Sequence, residues 1–289
     1  MSAADSPADL PNAWVQRMID QPGRPGKLDT SGHVTSYLEW GDPASQRVMV
    51  LLHGFLGHAH WWDFVAPWFA DGYRVLAMDL AGMGDSGRRD QYSMATFVAQ
   101  VGAFLQTAAV PVTLIGHSFG GRVSLHAAHR YPERVGRCII IDSRIGYGNR
   151  PPRPHTAPRP KVVYPDLDTA CARFRFRPDE PRVLPAIMRH LAEHSLKREG
   201  GGYVWKFDAG LIVGIEPEGV QEVDMLRGLE LPIDFIAGEL STVVTSDLAI
   251  RIGASLQRGR GPVVIPSAHH HIPANQPLAL VAAIRALLA

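Results

Sequence analysis

A serine hydroxyl becomes a useful nucleophile only when the chain exposes it, supplies a base and neutralises the charge that develops during attack. Gly116-His117-Ser118-Phe119-Gly120 meets the first need. Val112 to Ile115, apolar or β-branched throughout, precede it and read as a short buried strand. Arg122-Val123-Ser124-Leu125-His126-Ala127-Ala128 follows and reads as a helix. Strand, Gly-x-Ser-x-Gly and helix together predict a sharp, strained turn. It holds Ser118 above the edge of a sheet, at a helix N-terminus whose dipole favours negative charge. Gly116 and Gly120 then stand where a Cβ would strike the neighbouring strand or helix.

Other residue types on the chain could serve such a serine. His53-Gly54-Phe55 ends an apolar run, and the Phe55 backbone N–H can point at the space above Ser118. The Phe119 N–H, at the start of the following helix, can point to the same place. Two such donors would form an oxyanion hole, each contributing roughly 3 kcal/mol at the transition state. His53 reads as a buried histidine that ties its loop down, and Asp79, Gly82, Gly84 and Ser86 read as a structural turn. His269-His270-His271 offers imidazoles. Consecutive residues on extended chain point to alternating sides, so these three cannot converge on one ion, and no metal is expected.

The elements that must position these residues alternate. Val34–Trp40 reads as an outer strand and Val48–Leu52 as a parallel strand buried on both faces. A helix with Trp62, Val65, Ala66 and Phe69 on one stripe should follow. Tyr73–Met78, Cys138–Ile141, Ile233–Ala237 and Val263–Ile265 read as further strands. Helices are expected over Thr96–Leu105, Asp247–Leu256 and Leu278–Leu288. Strands alternating with helices argue a doubly wound, mostly parallel α/β sheet with ligands at the strands' carboxyl ends. The rhythm breaks at Arg144 and resumes near Ile233. Residues 144–231 are therefore expected to be an inserted helical lid on a core of residues 1–143 and 232–289. Residues 1–30 read as a surface arm with one short helix around Trp14–Ile19.

The 289 residues are 46% hydrophobic and carry a formal net charge of +1, enough for a large core and without the basic footprint of a nucleic-acid binder. Two cysteines, Cys138 and Cys171, do not make a disulfide framework. The start of the chain lacks a secretory signal and no apolar run reaches membrane-spanning length, so a cytoplasmic protein is expected.

Taken in order, these motifs resemble the α/β-hydrolase superfamily, in its serine-nucleophile branch with a lid. The resemblance covers nearly everything from Val34 onward except the insertion. It implies a hydrolase with Ser118 as nucleophile and no cofactor. The family's last motif, a Gly- or Ala-rich turn, then histidine, then a proline opening the final helix, falls on Ser267-Ala268-His269-His270-His271 and Pro277. It makes His270 the base, with His269 as competitor. The family's usual acid position holds Ser241, which cannot support an imidazolium. Asp142, at the end of the strand after the elbow helix, is the favoured acid because some members take theirs from that position. Glu239 is the alternative and Asp247 the third choice.

The implied reaction is cleavage of a carboxylic ester or related acyl bond in a small-molecule substrate. Lactonase, thioesterase and carbon–carbon bond hydrolase remain open, as does a ligand receptor with little turnover. Arg144, Arg150, Arg153, Arg159, Lys161 and Arg173-Phe174-Arg175-Phe176-Arg177 either meet an anionic substrate tail or form a solvated face. Trp61, Trp62, Tyr147 and Trp205 either line an apolar pocket or pack in the core.

Overall fold

Burial at every position of Val48–Leu52 is what a strand covered on both faces requires, and this strand lies near the middle of the sheet. The structure, a computed structural model, describes residues 10–30, 32–146, 161–213 and 222–289. The chain begins with α1 (Leu10–Ile19), β1 (Arg24–Asp29), β2 (Val34–Trp40) and β3 (Val48–Leu52). After two 3-10 helices, Ala59–Trp62 and Ala66–Phe69, come β4 (Arg74–Met78), α2 (Met94–Leu105), β5 (Val112–His117), α3 (Phe119–Arg130) and β6 (Val135–Ile141). The segment that follows carries α4 (Leu167–Cys171), α5 (Pro185–His194), β7 (Leu196–Glu199), β8 (Gly202–Trp205), α6 (Gly210–Val213) and α7 (Glu222–Gly228). The chain closes with β9 (Ile233–Gly238), α8 (Ser246–Gly253), β10 (Val263–Ile265), α9 (Ile272–Asn275) and α10 (Pro277–Leu288).

Among the described residues, eight strands form one sheet in the order β1-β2-β4-β3-β5-β6-β9-β10. From β4 to β10 every pairing is parallel, while β1 and β2 run antiparallel at one edge. The central strands split their side chains between two cores. Val50 and Leu52 pack with residues of α2, α3 and α8, whereas Met49 and Leu51 pack with Trp62, Phe69 and residues of α10. This is the doubly wound α/β sheet that the alternation predicts.

Three elements differ from the sequence reading. The stretch after β3 is not one helix but two 3-10 helices, since Pro67 at the start of the second lacks the N–H that would continue the first. The N-terminal segment is more than a surface arm. β1 pairs with β2 over its whole length, and α1 buries Val15 and Met18 against a cluster containing Ile187 and Leu191 of α5. In the inserted segment the glycine break and the extended piece after it, Tyr203–Phe207, are as the sequence reads, but β8 there pairs antiparallel with a strand the reading lacks, β7, and the glycines form the hairpin turn.

The insertion meets the core at turns that follow β3, β4 and β10, all at the carboxyl end of the parallel strands. Phe176 lies edge-to-face on Trp61 at 5.7 Å, the Asp208 N–H donates to the Gly82 carbonyl at 2.7 Å, and the Glu180 carboxylate accepts the His271 N–H at 2.7 Å. Glu222 of α7 is buried between Arg122 and His126 of α3 and accepts the Gly146 N–H. Among the described residues no helix is long and apolar enough to cross a membrane.

Candidate active site

The turn between β5 and α3 places Ser118 at φ 54°, ψ −115°, a backbone that side-chain-bearing residues rarely adopt. The strain is held from several sides. The Ser118 N–H donates to the Ile141 carbonyl at the end of β6 (2.8 Å). A Cβ on Gly116 would lie 2.3 Å from the Gly120 carbonyl oxygen, and one on Gly120 would lie 2.4 Å from that of Leu52. Both glycines are thus needed for close approach. Ser118 remains partly exposed while its neighbours on both sides are buried.

His270, in the turn after β10, faces the serine. Its Nε2 lies 2.9 Å from Ser118 Oγ and its Nδ1 lies 2.8 Å from Asp142 Oδ1. A carboxylate only accepts, so Nδ1 carries the proton and Nε2 presents its lone pair to the serine hydroxyl. Asp142 is fully buried. Besides His270 it accepts the Gly238 N–H on Oδ2 (2.8 Å) and the Ser241 hydroxyl on Oδ1 (2.6 Å). Its own N–H donates to the Ile236 carbonyl, and its φ of 43° turns the chain sharply out of the strand. Three donors thus converge on one buried carboxylate.

Of the residues singled out in the sequence, Ser118, His270 and Asp142 come together in one hydrogen-bonded line. His269, its neighbour in sequence, makes none of these contacts. Glu239, the alternative acid, does not reach the histidine. It is exposed, and its carboxylate accepts the Ser267 N–H at 2.7 Å. The side chain immediately after the strand-ending glycine points along the β10 turn rather than across to His270. Asp247 stands in the first turn of α8.

Phe119 is the first residue of α3, so its N–H has no acceptor within the helix. Phe55 lies in the turn after β3, which runs close to the elbow: a Cβ on Gly54 would sit 3.4 Å from Ser118 Cβ. The Phe55 and Phe119 rings meet edge-to-face at 5.7 Å, beside the two backbone donors.

His53 is fully buried and tied at both nitrogens, donating from Nδ1 to the Gly54 carbonyl (2.7 Å) and accepting the Leu80 N–H on Nε2 (3.0 Å). Burial pushes its pKa down to about 4. Asp79 accepts the Ala59 and Asp85 N–H groups, and burial pushes its carboxyl up to about 6. Both residues hold turns, as their sequence context suggests. Trp62 is a core residue, fully buried. Trp61 packs on Phe176 and His271. Tyr147, Arg150, Arg153 and Arg159 lie outside the described residues.

Two supports escaped sequence reasoning. His117 donates its Nε2–H to the His270 carbonyl (2.9 Å), and burial together with the nearby His270 holds its pKa well below the usual range. Glu180 of the insertion accepts from the His271 ring (2.7 Å), the His271 N–H and the Asn275 amide. His270 is thus pinned from the elbow strand on one side and, through its neighbour, from the insertion on the other. A histidine inside the Gly-x-Ser-x-Gly motif was a visible signal for the first. Nothing local marked the second.

A cleft of about 260 Å³ opens beside the Phe55 turn, lined by Leu56, Gly57, Arg173, Arg177, Trp205 and Lys206 among others.

Residues 47–170 match the alpha/beta hydrolase fold family. Esterase Rv0045c of Mycobacterium tuberculosis is 26% identical over 262 residues, spanning 88% of this chain and 86% of that protein. Lipase LipV of the same organism is 24% identical over 272 residues, spanning 89% and 97%. Among solved structures, a thioesterase domain from the curacin biosynthetic pathway superposes with a TM-score of 0.78 at 24% identity, over 91% of this chain and 99% of that one. With the sheet order, the elbow and these matches in agreement, the chain has the α/β-hydrolase fold.

Proposed function

We propose that this protein is a serine hydrolase that cleaves a carboxylic ester or a related acyl bond through an acyl-enzyme. The observation that carries the reading is the line Asp142–His270–Ser118, with hydrogen-bond distances of 2.8 and 2.9 Å and the serine on a strained turn at a helix N-terminus. Similarity to an esterase and a lipase over most of each chain supports hydrolysis as the reaction class.

In this mechanism His270 Nε2 takes the Ser118 proton as Oγ attacks the acyl carbon. The resulting oxyanion accepts the Phe55 and Phe119 N–H groups. The imidazolium, held by Asp142, then protonates the leaving group, and the acyl-serine forms as the tetrahedral intermediate collapses. Water, activated by the same histidine, attacks the acyl-serine and regenerates the hydroxyl. The described residues of the 144–231 segment act as a lid over this edge, since Glu180, Phe176 and Asp208 contact the turns that carry His271, Trp61 and Gly82.

The cleft beside the oxyanion turn extends the reading to substrate charge. Arg173 and Arg177 are exposed on its wall, and among the described residues neither is paired with a carboxylate. Lys206 is paired with Asp85 (2.7 Å), and Arg175 donates to the Ala172 and Phe174 carbonyls. An acyl or alcohol group carrying a carboxylate or phosphate fits there.

The experiment is turnover of short p-nitrophenyl esters together with labelling by a serine-reactive phosphonate. Multiple turnovers, and labelling lost in folded Ser118→Ala, are expected. A single slow covalent event in the native protein would instead make it a ligand receptor.

A further inference from the structure

We propose that His60, His190 and His194 form a binding site for a divalent transition-metal ion of the zinc or cobalt type, joining the inserted segment to the core. One nitrogen of each ring lies within 4.8 Å of those of the other two. The rings come from two elements far apart in sequence. His60 is in the first 3-10 helix after β3, and His190 and His194 are one turn apart on α5. Such an i, i+4 pair of histidines on a helix, with a third from a facing element, supplies three imidazole ligands to one ion.

The hydrogen bonds around the cluster prepare the rings for this. Asp63 Oδ2 accepts from His60 Nδ1 at 2.8 Å and from His190 Nε2 at 2.6 Å. His194 Nδ1 donates to the His190 carbonyl at 2.9 Å. A carboxylate and a carbonyl can only accept, so each ring carries its proton on the bonded nitrogen. The lone pair is left on the other: Nε2 of His60, Nδ1 of His190 and Nε2 of His194. Among the described residues none of these three nitrogens takes part in a hydrogen bond. A histidine that donates one N–H to a carboxylate or carbonyl while its other nitrogen stays open is the arrangement that orients imidazole toward a metal.

Asp63 gives a second, independent sign. It is 5% exposed, and its Oδ1 is buried without a hydrogen-bond partner. Its charge would offset part of that of a dication, whereas a purely structural network would be expected to use both oxygens. His60 and His194 are partly exposed, so an ion has a way in and both rings have room to turn. They need to. Their centroids stand 3.7 Å apart, and ligation at about 2.0–2.1 Å requires the rings to fan around the ion.

The test is titration of the intact protein with Zn²⁺ by calorimetry, and with Co²⁺ followed by its visible absorption. One equivalent is expected to bind. His194→Gln and His60→Gln should each weaken binding by more than about tenfold, and Asp63→Asn by about tenfold. His269→Gln, in the other histidine run, should bind as the native protein does. Folding of each variant is checked by circular dichroism; if one fails to fold, the other, on the opposite element, decides. Absence of binding, or binding unchanged in a folded His194→Gln or His60→Gln variant, overturns the proposal. So does binding that is lost in His269→Gln, which would move the ion to the 269–271 turn.

Discussion

Replacing Asp142 by asparagine tests the triad most sharply, because the structure decides which way the amide turns. The carboxylate accepts three hydrogen bonds: from His270 Nδ1 and the Ser241 hydroxyl on Oδ1, and from the Gly238 N–H on Oδ2. With its oxygen at the Oδ1 place, the amide would set its NH₂ against the Gly238 N–H. Two buried donors would then face each other, at a cost of about 1–3 kcal/mol. Turned over, the amide oxygen accepts from Gly238, and its NH₂ meets Ser241 Oγ and His270 Nδ1. The Ser241 hydrogen can turn away from the NH₂, with the oxygen then shared among it and the long bonds from the Val243 and Val244 N–H groups, and His270 can move its proton to Nε2. The second orientation therefore wins, and it removes the base, since Nε2 no longer has a lone pair for Ser118.

Loss of the base tautomer and of the counter-charge should lower kcat by about 10⁴, or about 5 kcal/mol at the transition state. Folding should be nearly unchanged. The assay is turnover of p-nitrophenyl acetate alongside urea unfolding. The double variant Asp142→Asn with Ser241→Asp should recover at least tenfold of the loss, or about 1.4 kcal/mol. Ser241 Oγ stands 2.6 Å from the very oxygen that His270 uses, and an aspartate there extends toward Nδ1. A folded Asp142→Asn variant with less than about tenfold loss would refute the assignment. So would a larger loss in Glu239→Gln.

Four further outcomes are expected. Ser118→Ala should fold, lose phosphonate labelling and drop by about 10³–10⁶ in turnover, measured by steady-state kinetics. Arg173→Ala should raise KM for a monoester of a dicarboxylic acid by about tenfold, roughly the cost of one charge-assisted contact, and leave that for a neutral ester unchanged. Gly120→Ala should destabilise by more than about 2 kcal/mol, read as a lower urea midpoint, because its Cβ meets the fixed carbonyls of Leu52 and His53 at 2.4 and 2.5 Å. Stability should fall as pH drops from about 6.5 toward 4, because the unfolded chain takes up protons there that buried His53, His58 and His117 refuse; His53 alone, with its pKa near 4, accounts for about 3 kcal/mol. Asp79, raised to about 6, acts in the opposite sense over that window and offsets about one histidine, so a urea midpoint flat or rising between pH 7 and 5 would refute the balance.

The parts of the fold legible in the sequence were those written in local pattern. Val34–Trp40, Val48–Leu52 and Val263–Ile265 carry strand signals strong enough to give their bounds. Arg24–Asp29 has none: Arg-Pro-Gly-Lys-Leu-Asp is polar and broken by proline and glycine, and becomes a strand only because β2 offers an open edge. The helix expected after β3 failed for the converse reason, its apolar stripe being real but its backbone interrupted at Pro67. Within the candidate site, Ser118 and His270 stand on short motifs and could be named. Glu180 could not, since its bond to His271 spans 91 residues and depends on how the insertion docks. His190 and His194 stand four apart on α5, a spacing the sequence reading did not single out, and their third partner, His60, is joined to them only by the fold.

The position of Asp142, the proposed acid, shows how a site could keep its geometry while changing the strand that serves it. β6 and β9 are adjacent and parallel, with Ile141 beside Ile236, so the turns leaving them reach the same side of His270. A carboxylate on either turn can meet Nδ1, provided the other turn supplies something compatible. Here the β9 turn supplies donors, the Gly238 N–H and the Ser241 hydroxyl, both spent on Asp142. Ser241 in turn accepts the Val243 and Val244 N–H groups at 3.2 and 3.1 Å, so its oxygen is fixed and its hydrogen is committed to the carboxylate. A second carboxylate at 241 in the native background would sit against Asp142 and force one of the pair to hold a proton. Ser241→Asp alone should therefore lower activity most at low pH, where the shared proton is held most firmly, and recover as pH rises. A pH profile for that variant parallel to the native one would show that residue 241 and Asp142 do not share a single charge, and the coupling of the two turns would have to be abandoned.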